Sequence, residues 1–332
     1  MNMAVRIHDH GDREQMRWEE APIAAPDAGW VQLRHTAIGV NFSDVNVRRG
    51  GFYPGHRPGF PLTLGNEAAG VVELVGTGVT DVAVTDRVAY AGLLGQFFED
   101  TGAYTQRRNV PAARLVAIPD AVTDQQAAAM LMKGCTASLI INRLGRPQKG
   151  DVVLIHTVAS GVGSILCQWA HHLGATVIGT AGSTAKAGIG RANGCAHVIL
   201  YRETGFVAAV RALAPQGIDL VLDGVGKDTF LDSLDLLRPF GRAVNYGNAS
   251  GNVPPFDIMK LAVKSITVAR AGVTGHIADT TAFRQVAGEL FALVAAGAIH
   301  PAIGQTYELR DASEAHRDLE EARHSGSLLL LP

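Results

Sequence analysis

The chain has 332 residues, 47% of them hydrophobic and 18% charged, with a net charge of −2. Such a length suits two domains rather than one core, and the apolar fraction excludes a disordered chain. The near-neutral balance provides no electrostatic footprint for nucleic acid or for an anionic membrane surface.

The amino-terminal stretch Met1-Asn-Met-Ala-Val-Arg-Ile-His-Asp-His10 has no long apolar core and no cleavage-site pattern, so no secretory leader is expected. No later run approaches the apolar length of a membrane span. Residues 1–125 have the texture of strands and turns. Val31-Gln-Leu-Arg-His-Thr-Ala-Ile38 alternates, Ala68-Ala-Gly-Val-Val-Glu-Leu-Val75 is a compact apolar run, and Gly and Pro separate them. Gly39-Val-Asn-Phe-Ser-Asp44 combines polar groups with small and aromatic ones, and Arg48-Arg-Gly-Gly-Phe-Tyr-Pro54 is a glycine-rich loop with an aromatic pair. Taken alone, they read equally as a capped helix start and a turn.

From about residue 126 helices alternate with strands. Residues 125–144 are rich in Ala, Met and Leu and predict a helix. Val152-Val-Leu-Ile155 is an unbroken apolar run that suits a strand covered on both faces of a parallel sheet. Ile165, Leu166, Trp169 and Leu173 then recur at helical spacing, so strand turns into helix within residues 157–163. The first N–H groups of a helix lack internal partners and sit at the positive end of its dipole. Small residues at Ala159, Ser160, Gly161 and Gly163 would let a pyrophosphate reach them. Against G-x-G-x-x-G, Val158 holds the first glycine position, Ser160 the second and Gly163 the third, with Gly161 extra. A tight ligand-free connection would look the same.

The next run, Ala175-Thr-Val-Ile-Gly-Thr180, ends about twenty residues after the glycines, where an NAD-specific site carries an acid for the ribose hydroxyls. Here the chain reads Gly179-Thr-Ala-Gly-Ser-Thr-Ala-Lys186, without an acid. Ser183 and Lys186 suit a 2′-phosphate that a carboxylate would repel, which favours NADP(H); Lys186 also reads as an ordinary solvated helix residue. Strands follow at residues 197–201, 219–223 and 242–246, with helices near 204–213 and 227–237 between them. This rhythm implies a parallel sheet with helices on both faces and right-handed crossovers. After Pro254-Pro255, an apolar run at 265–271 precedes a helix over 280–298, and the tail Gly326-Ser-Leu-Leu-Leu-Leu-Pro332 reads as a returning strand. The organisation expected is α/β, with a discontinuous β-rich domain over residues 1–125 and 270–332 and a nucleotide domain over 126–269.

Gly39-Val-Asn-Phe-Ser-Asp44, Leu64-Gly-Asn-Glu-Ala-Ala-Gly-Val-Val72, Gly102-Ala-Tyr104, Lys133-Gly-Cys-Thr136, Ala159-Ser-Gly-Val-Gly163, Leu166-Cys-Gln-Trp-Ala-His171, Tyr201-Arg-Glu203, Phe240-Gly241 and Tyr246-Gly-Asn-Ala-Ser-Gly251 lie in order along nearly the whole chain. They resemble the quinone oxidoreductases (zeta-crystallin-like) of the medium-chain dehydrogenase/reductase superfamily. The resemblance implies a GroES-like catalytic domain, a Rossmann doubly wound parallel-sheet domain, NADPH, and a homodimer built across the nucleotide sheets.

It also separates zinc-dependent from zinc-independent members. Catalytic zinc needs three protein ligands, drawn here from Cys and His, and one open position. At the three matching positions stand Asn41, Asn66 and, near the third, Met132, so no metal is expected. The cysteines, Cys135, Cys167 and Cys195, are widely spaced, which argues against a disulfide framework and fits a reducing cytoplasm. Without a Lewis acid the acceptor must be conjugated, as in quinones or α,β-unsaturated carbonyls. The resemblance places Asn41 and Asp44 beside the nicotinamide and Tyr53 on the facing loop, as candidate catalytic residues or shapers of the site. It implies cofactor contacts from Asn41, Lys133 and Thr136, from Ser160, Gly161 and Val162 at the diphosphate, and from Gly179, Ser183, Lys186 and Tyr201 at the adenosine phosphate. Val225, Gly247, Asn248, Arg270 and Arg323 complete the set, while Lys133 reads alternatively as a structural salt bridge.

Departures from the pattern lie around the acceptor side: Asn46 in place of an aromatic residue, an extra glycine before Tyr53, Ala271 and His276, and an insertion at Gln96-Phe-Phe-Glu-Asp-Thr101. The expected activity is NADPH-dependent, zinc-independent reduction of quinones. The alternatives are reduction of enone or enal double bonds, or a non-catalytic NADPH-binding role.

Overall fold

The computed structural model describes residues 1–51, 53, 58–92 and 101–332. Residues 96–100 of the expected insertion, and those on either side of Tyr53, lie outside them. The chain divides into two compact units, Met1–Cys135 with Thr274–Ala295 and Pro301–Pro332, and Thr136–Val273 with Ala296–His300.

In the first unit the main sheet runs in the order Ile303–Glu308, Ser327–Leu331, Trp30–Val40, Glu67–Val75, Arg87–Ala91, Val116–Ala117, and Arg107–Pro111 pairs with Trp30–Val40. The leucine-rich carboxyl-terminal strand lies antiparallel to Trp30–Val40, with Leu328 opposite Val40 and Leu330 opposite Ile38. Leu328, Leu329 and Leu330 are all buried, as an unbroken apolar run on a covered strand requires. The alternation read in residues 31–38 does not translate into an inside and an outside. Trp30–Val40 is paired on one edge by Glu67–Val75, against which it slips register twice, and on the other by Arg107–Pro111 and then Ser327–Leu331, so Gln32 and His35 are buried with Val31 and Leu33. His35 compensates by bonding the Thr105 carbonyl at 2.8 Å and Tyr90 Oη at 3.1 Å. Ile7, Leu33, Ile38, Leu64, Tyr90, Tyr104 and Leu330 share one core.

In the second unit six parallel strands run in the order Cys195–Leu200, Thr176–Ala181, Val152–Ile155, Ile218–Asp223, Leu237–Asn245, Thr267–Arg270. Counted along the chain this is 3-2-1-4-5-6, the doubly wound order that creates a crevice at the carboxyl end of the first strand. The helix read from Ile165, Leu166 and Trp169 is Gly161–His172, and those three residues are buried. The helix expected over 227–237 is shorter, Phe230–Leu234, because Leu236 and Leu237 are consecutive buried residues and Leu237 already pairs with Ile218. Pro239 and Phe240, the latter at φ 63°, accompany a register shift in this strand pair. Among the described residues no helix is long and apolar enough to cross a membrane.

Candidate active site

In the second unit the loops at the carboxyl ends of the strands carry most of the residues expected to meet a dinucleotide. After the first strand, Thr157 adopts φ 63°, a left-handed conformation that a β-branched residue rarely takes. Its hydroxyl donates to the His156 carbonyl at 2.6 Å. Ser160 then caps the helix Gly161–His172, its Oγ accepting the Gly163 N–H at 3.1 Å. A Cβ at Gly163 would overlap the Thr157 carbonyl, so only glycine permits this turn. The N–H groups of Gly161 and Val162 make no hydrogen bond among the described residues. This arrangement fits a bound pyrophosphate.

The missing first glycine has a local explanation. Val158 is buried, and a Cβ at Gly179 would overlap its Cγ1 while one at Gly190 would stand 2.6 Å from its Cγ2. Two glycines therefore make the slot that the valine fills, and Gly179 has a packing reason to be glycine. After the second strand Ser183 caps the helix Thr184–Ala192, its Oγ accepting the Lys186 N–H at 3.3 Å. Tyr201 follows the third strand, and its hydroxyl would stand 2.8 Å from a Cβ at Gly182. After the fourth strand Asp223 Oδ1 accepts the N–H groups of Val225 and Gly226, both at 2.7 Å. After the fifth, Gly247 passes so close to Gly224 that a side chain would collide with its backbone, and Asn248 Nδ2 donates to Asn252 Oδ1 at 2.8 Å. Arg270, at the end of the sixth, donates to Asn245 Oδ1 and to the Gly247 carbonyl. Ala271 N–H donates to the Asn245 carbonyl at 2.9 Å. Thr136 lies half-buried in the helix Asp124–Leu139.

The first unit gathers a different set. Asn41 precedes the helix Phe42–Arg49, and its backbone N–H donates to Asp44 Oδ2 at 2.8 Å. Its side-chain Nδ2 donates to Glu67 Oε1 at 2.7 Å. Glu67, fully buried, also accepts the Met132 N–H at 2.7 Å and Lys133 Nζ at 3.3 Å. Gly39 leaves room for this carboxylate, since a Cβ there would overlap Glu67 Oε1. Lys133 thus makes the salt bridge left open as an alternative, and donates as well to the Val40 carbonyl at 3.3 Å. Tyr53 is half-buried and packs on the core of this unit. Arg323 pairs with Asp318 and Glu321. Asn46 lies in the helix Phe42–Arg49, and His276 in the short helix Thr274–Ile277.

Sequence reasoning missed what lies behind Asn41. The Tyr104 hydroxyl is 3.1 Å from Asp44 Oδ2 and 3.0 Å from His316 Nε2, and all three side chains are buried. Burial pushes the Asp44 carboxyl up from 3.8 to about 7, the Glu67 charge adding to the effect and the Asn41 N–H and Tyr104 opposing it. Burial and then the Arg48 and Arg49 charges hold His316 down at about 3, so its imidazole is neutral. Arg48, buried beside it, pairs with Glu320. A polar residue at 104 or 316 carries no local signal, because its partner is far away in the chain.

The three positions where zinc-dependent members carry ligands do not fit that metal. Asn41 is engaged by Glu67, Asn66 donates to Ser43 Oγ at 3.0 Å, and Met132 uses its backbone, so neither thiolate nor imidazole is offered. Among the described residues no three His, Cys, Asp or Glu side chains are grouped to hold a metal ion.

The family model described as an alcohol dehydrogenase GroES-like domain matches residues 27–120, and one described as a zinc-binding dehydrogenase matches residues 161–292. A quinone oxidoreductase from Salmonella typhimurium is 39% identical, over 99% of this chain and 100% of its own. The chain belongs to the quinone oxidoreductase branch of the medium-chain dehydrogenase/reductase superfamily. A second relative in that comparison, the 2-haloacrylate reductase of a Burkholderia species, is 39% identical over 100% of this chain and 99% of its own. The crystal structure of the Escherichia coli quinone oxidoreductase complexed with NADPH superposes with a TM-score of 0.92 at 36% identity, covering 99% of this chain and 100% of that one. Membership of this branch accounts for both units, a GroES-like fold in one and a Rossmann sheet in the other.

Proposed function

We propose that the chain is an NADPH-dependent, zinc-independent reductase that passes hydride to quinones. The observation that carries the reading is the Ser160–Gly163 helix start with two N–H groups that have no partner among the described residues, followed after the second strand by Ser183 and Lys186 where a carboxylate would exclude a phosphorylated ribose. Bound NADPH supplies the hydride. The protein's own part is to hold and polarise the acceptor. Asn41, one of its amide hydrogens fixed by Glu67, keeps a second donor for the acceptor's oxygen. Tyr53 is assigned to stacking on, or donating to, the same acceptor. In this reading residues 1–125 and 270–332 form the catalytic domain and 126–269 the cofactor domain.

The 2-haloacrylate reductase relative favours a second reading, reduction of a carbon–carbon double bond conjugated to a carbonyl group. The two share hydride delivery to a conjugated acceptor and differ in where the proton is added. NADPH oxidation measured with a quinone and with an unsaturated ketone in parallel separates them.

Two further assignments belong to this reading. A homodimer across the nucleotide sheets is supported by the strand Thr267–Arg270, which ends the sheet with a partner on one side only among the described residues. Ile258, Met259 and Val263 nearby in sequence are 72%, 68% and 87% exposed, more apolar surface than a lone soluble subunit usually leaves in one segment. A light-scattering mass of one chain would remove the dimer. A cytoplasmic location is supported by three buried free cysteines.

A further inference from the structure

The third strand of the nucleotide sheet ends at Leu200, and the turn Tyr201-Arg-Glu-Thr204 follows. Tyr201 N–H donates to the Ala181 carbonyl at 3.2 Å, while Glu203 and Thr204 both donate to the Leu200 carbonyl at 3.0 Å. The turn is thereby fastened to the end of the second strand, and it brings two side chains beside Gly182. A Cβ on Gly182 would lie 2.8 Å from Tyr201 Oη and 3.5 Å from Arg202 Nε. Directly after Gly182, Ser183 starts the helix Thr184–Ala192, whose positive end faces the same turn.

Arg202 is exposed and makes no hydrogen bond or ion pair among the described residues. The other arginines expected near a cofactor are already engaged, Arg270 by Asn245 and the Gly247 carbonyl, Arg323 by Asp318 and Glu321. A guanidinium with its donors unspent, standing against a glycine at a helix start, is matched to a phosphate monoester, which it can grip through two parallel N–H bonds.

We propose that Arg202 is a specificity-determining residue, donating to the 2′-phosphate of the adenosine ribose beside Gly182 and Ser183. The inference rests on the NADPH reading and adds a residue to it. Arg202 distinguishes the phosphorylated ribose from the free hydroxyl, because a neutral 2′-hydroxyl gives the guanidinium no charge to meet. It takes no part in hydride transfer.

The test is calorimetric titration of the full chain and of its Arg202→Gln and Arg202→Lys variants with adenosine 2′,5′-bisphosphate and with adenosine 5′-monophosphate. The wild type is expected to prefer the bisphosphate. Arg202→Gln should weaken the bisphosphate about tenfold or more, the scale of a charged hydrogen bond, and leave the monophosphate unchanged, with Arg202→Lys recovering part of the loss. In turnover, KM for NADPH should rise while kcat is kept. Equal weakening of both ligands, or of neither, would overturn the role of Arg202 while leaving the NADPH reading intact. A wild type that binds both ligands equally would overturn that reading and the assignment with it.

Discussion

The side-chain Nδ2 of Asn41 lies 2.7 Å from Oε1 of Glu67, a carboxylate fully buried inside the first unit. The pairing explains why an amide and an acid, 26 residues apart, share one small space. Glu67 is satisfied by Asn41, the Met132 N–H and Lys133, and its orientation fixes that of the Asn41 amide.

Glu67→Ala should therefore cost about 3–5 kcal/mol, because it leaves the Lys133 ammonium buried without its counter-charge. Adding Lys133→Met should recover part of that loss in urea unfolding. A double variant as unstable as the sum of the two singles would mean that the pair is not coupled.

Asn41→Ala should lower kcat more than it weakens NADPH binding, since the amide is assigned to the acceptor as well as to the cofactor's edge. Unchanged turnover would remove Asn41 from the chemistry.

Asp44 yields a prediction about pH. Its carboxyl is raised from 3.8 to about 7 in the folded protein, chiefly by burial, so the folded state holds its proton more tightly than the unfolded one. The corresponding stability is present below pH 3.8 and is lost as the pH rises through about 7. Relative to Asp44→Asn, which keeps an acceptor for the Asn41 N–H, the wild type should lose up to about 1.4 kcal/mol per pH unit across this window. Unfolding free energies of both proteins at pH 5 and pH 8 give the difference; parallel pH dependences would contradict the shift.

The Val158 slot can be tested by a reciprocal pair. Gly179→Ala should destabilise by about 1–3 kcal/mol through overpacking, and Val158→Ala in the same chain should relieve it. Strict additivity of the two changes would place Val158 elsewhere.

The fold class was legible because its signals are local. An unbroken apolar strand, small residues at the turn and helical spacing at Ile165, Leu166 and Trp169 each report on a few neighbouring residues. Val158 at the first glycine position looked like a defect, because the glycines that accommodate it, Gly179 and Gly190, lie on later elements. The Asp44–Tyr104–His316 cluster was not legible at all, since Tyr104 and His316 are 212 residues apart and meet only through tertiary packing. Glu67 was visible as an acid heading an apolar run, but nothing local distinguished a surface acid from one held by three donors.

The measurement that bears most directly on the central claim is NADPH oxidation by purified, chelator-treated protein, with a simple quinone and an α,β-unsaturated ketone in parallel and NADH as the comparison cofactor. Oxidation of NADPH that depends on the quinone, survives chelation and falls when NADH replaces NADPH is the predicted result. Tight NADPH binding with neither acceptor reduced, or quinone reduction abolished by the chelator, would contradict it.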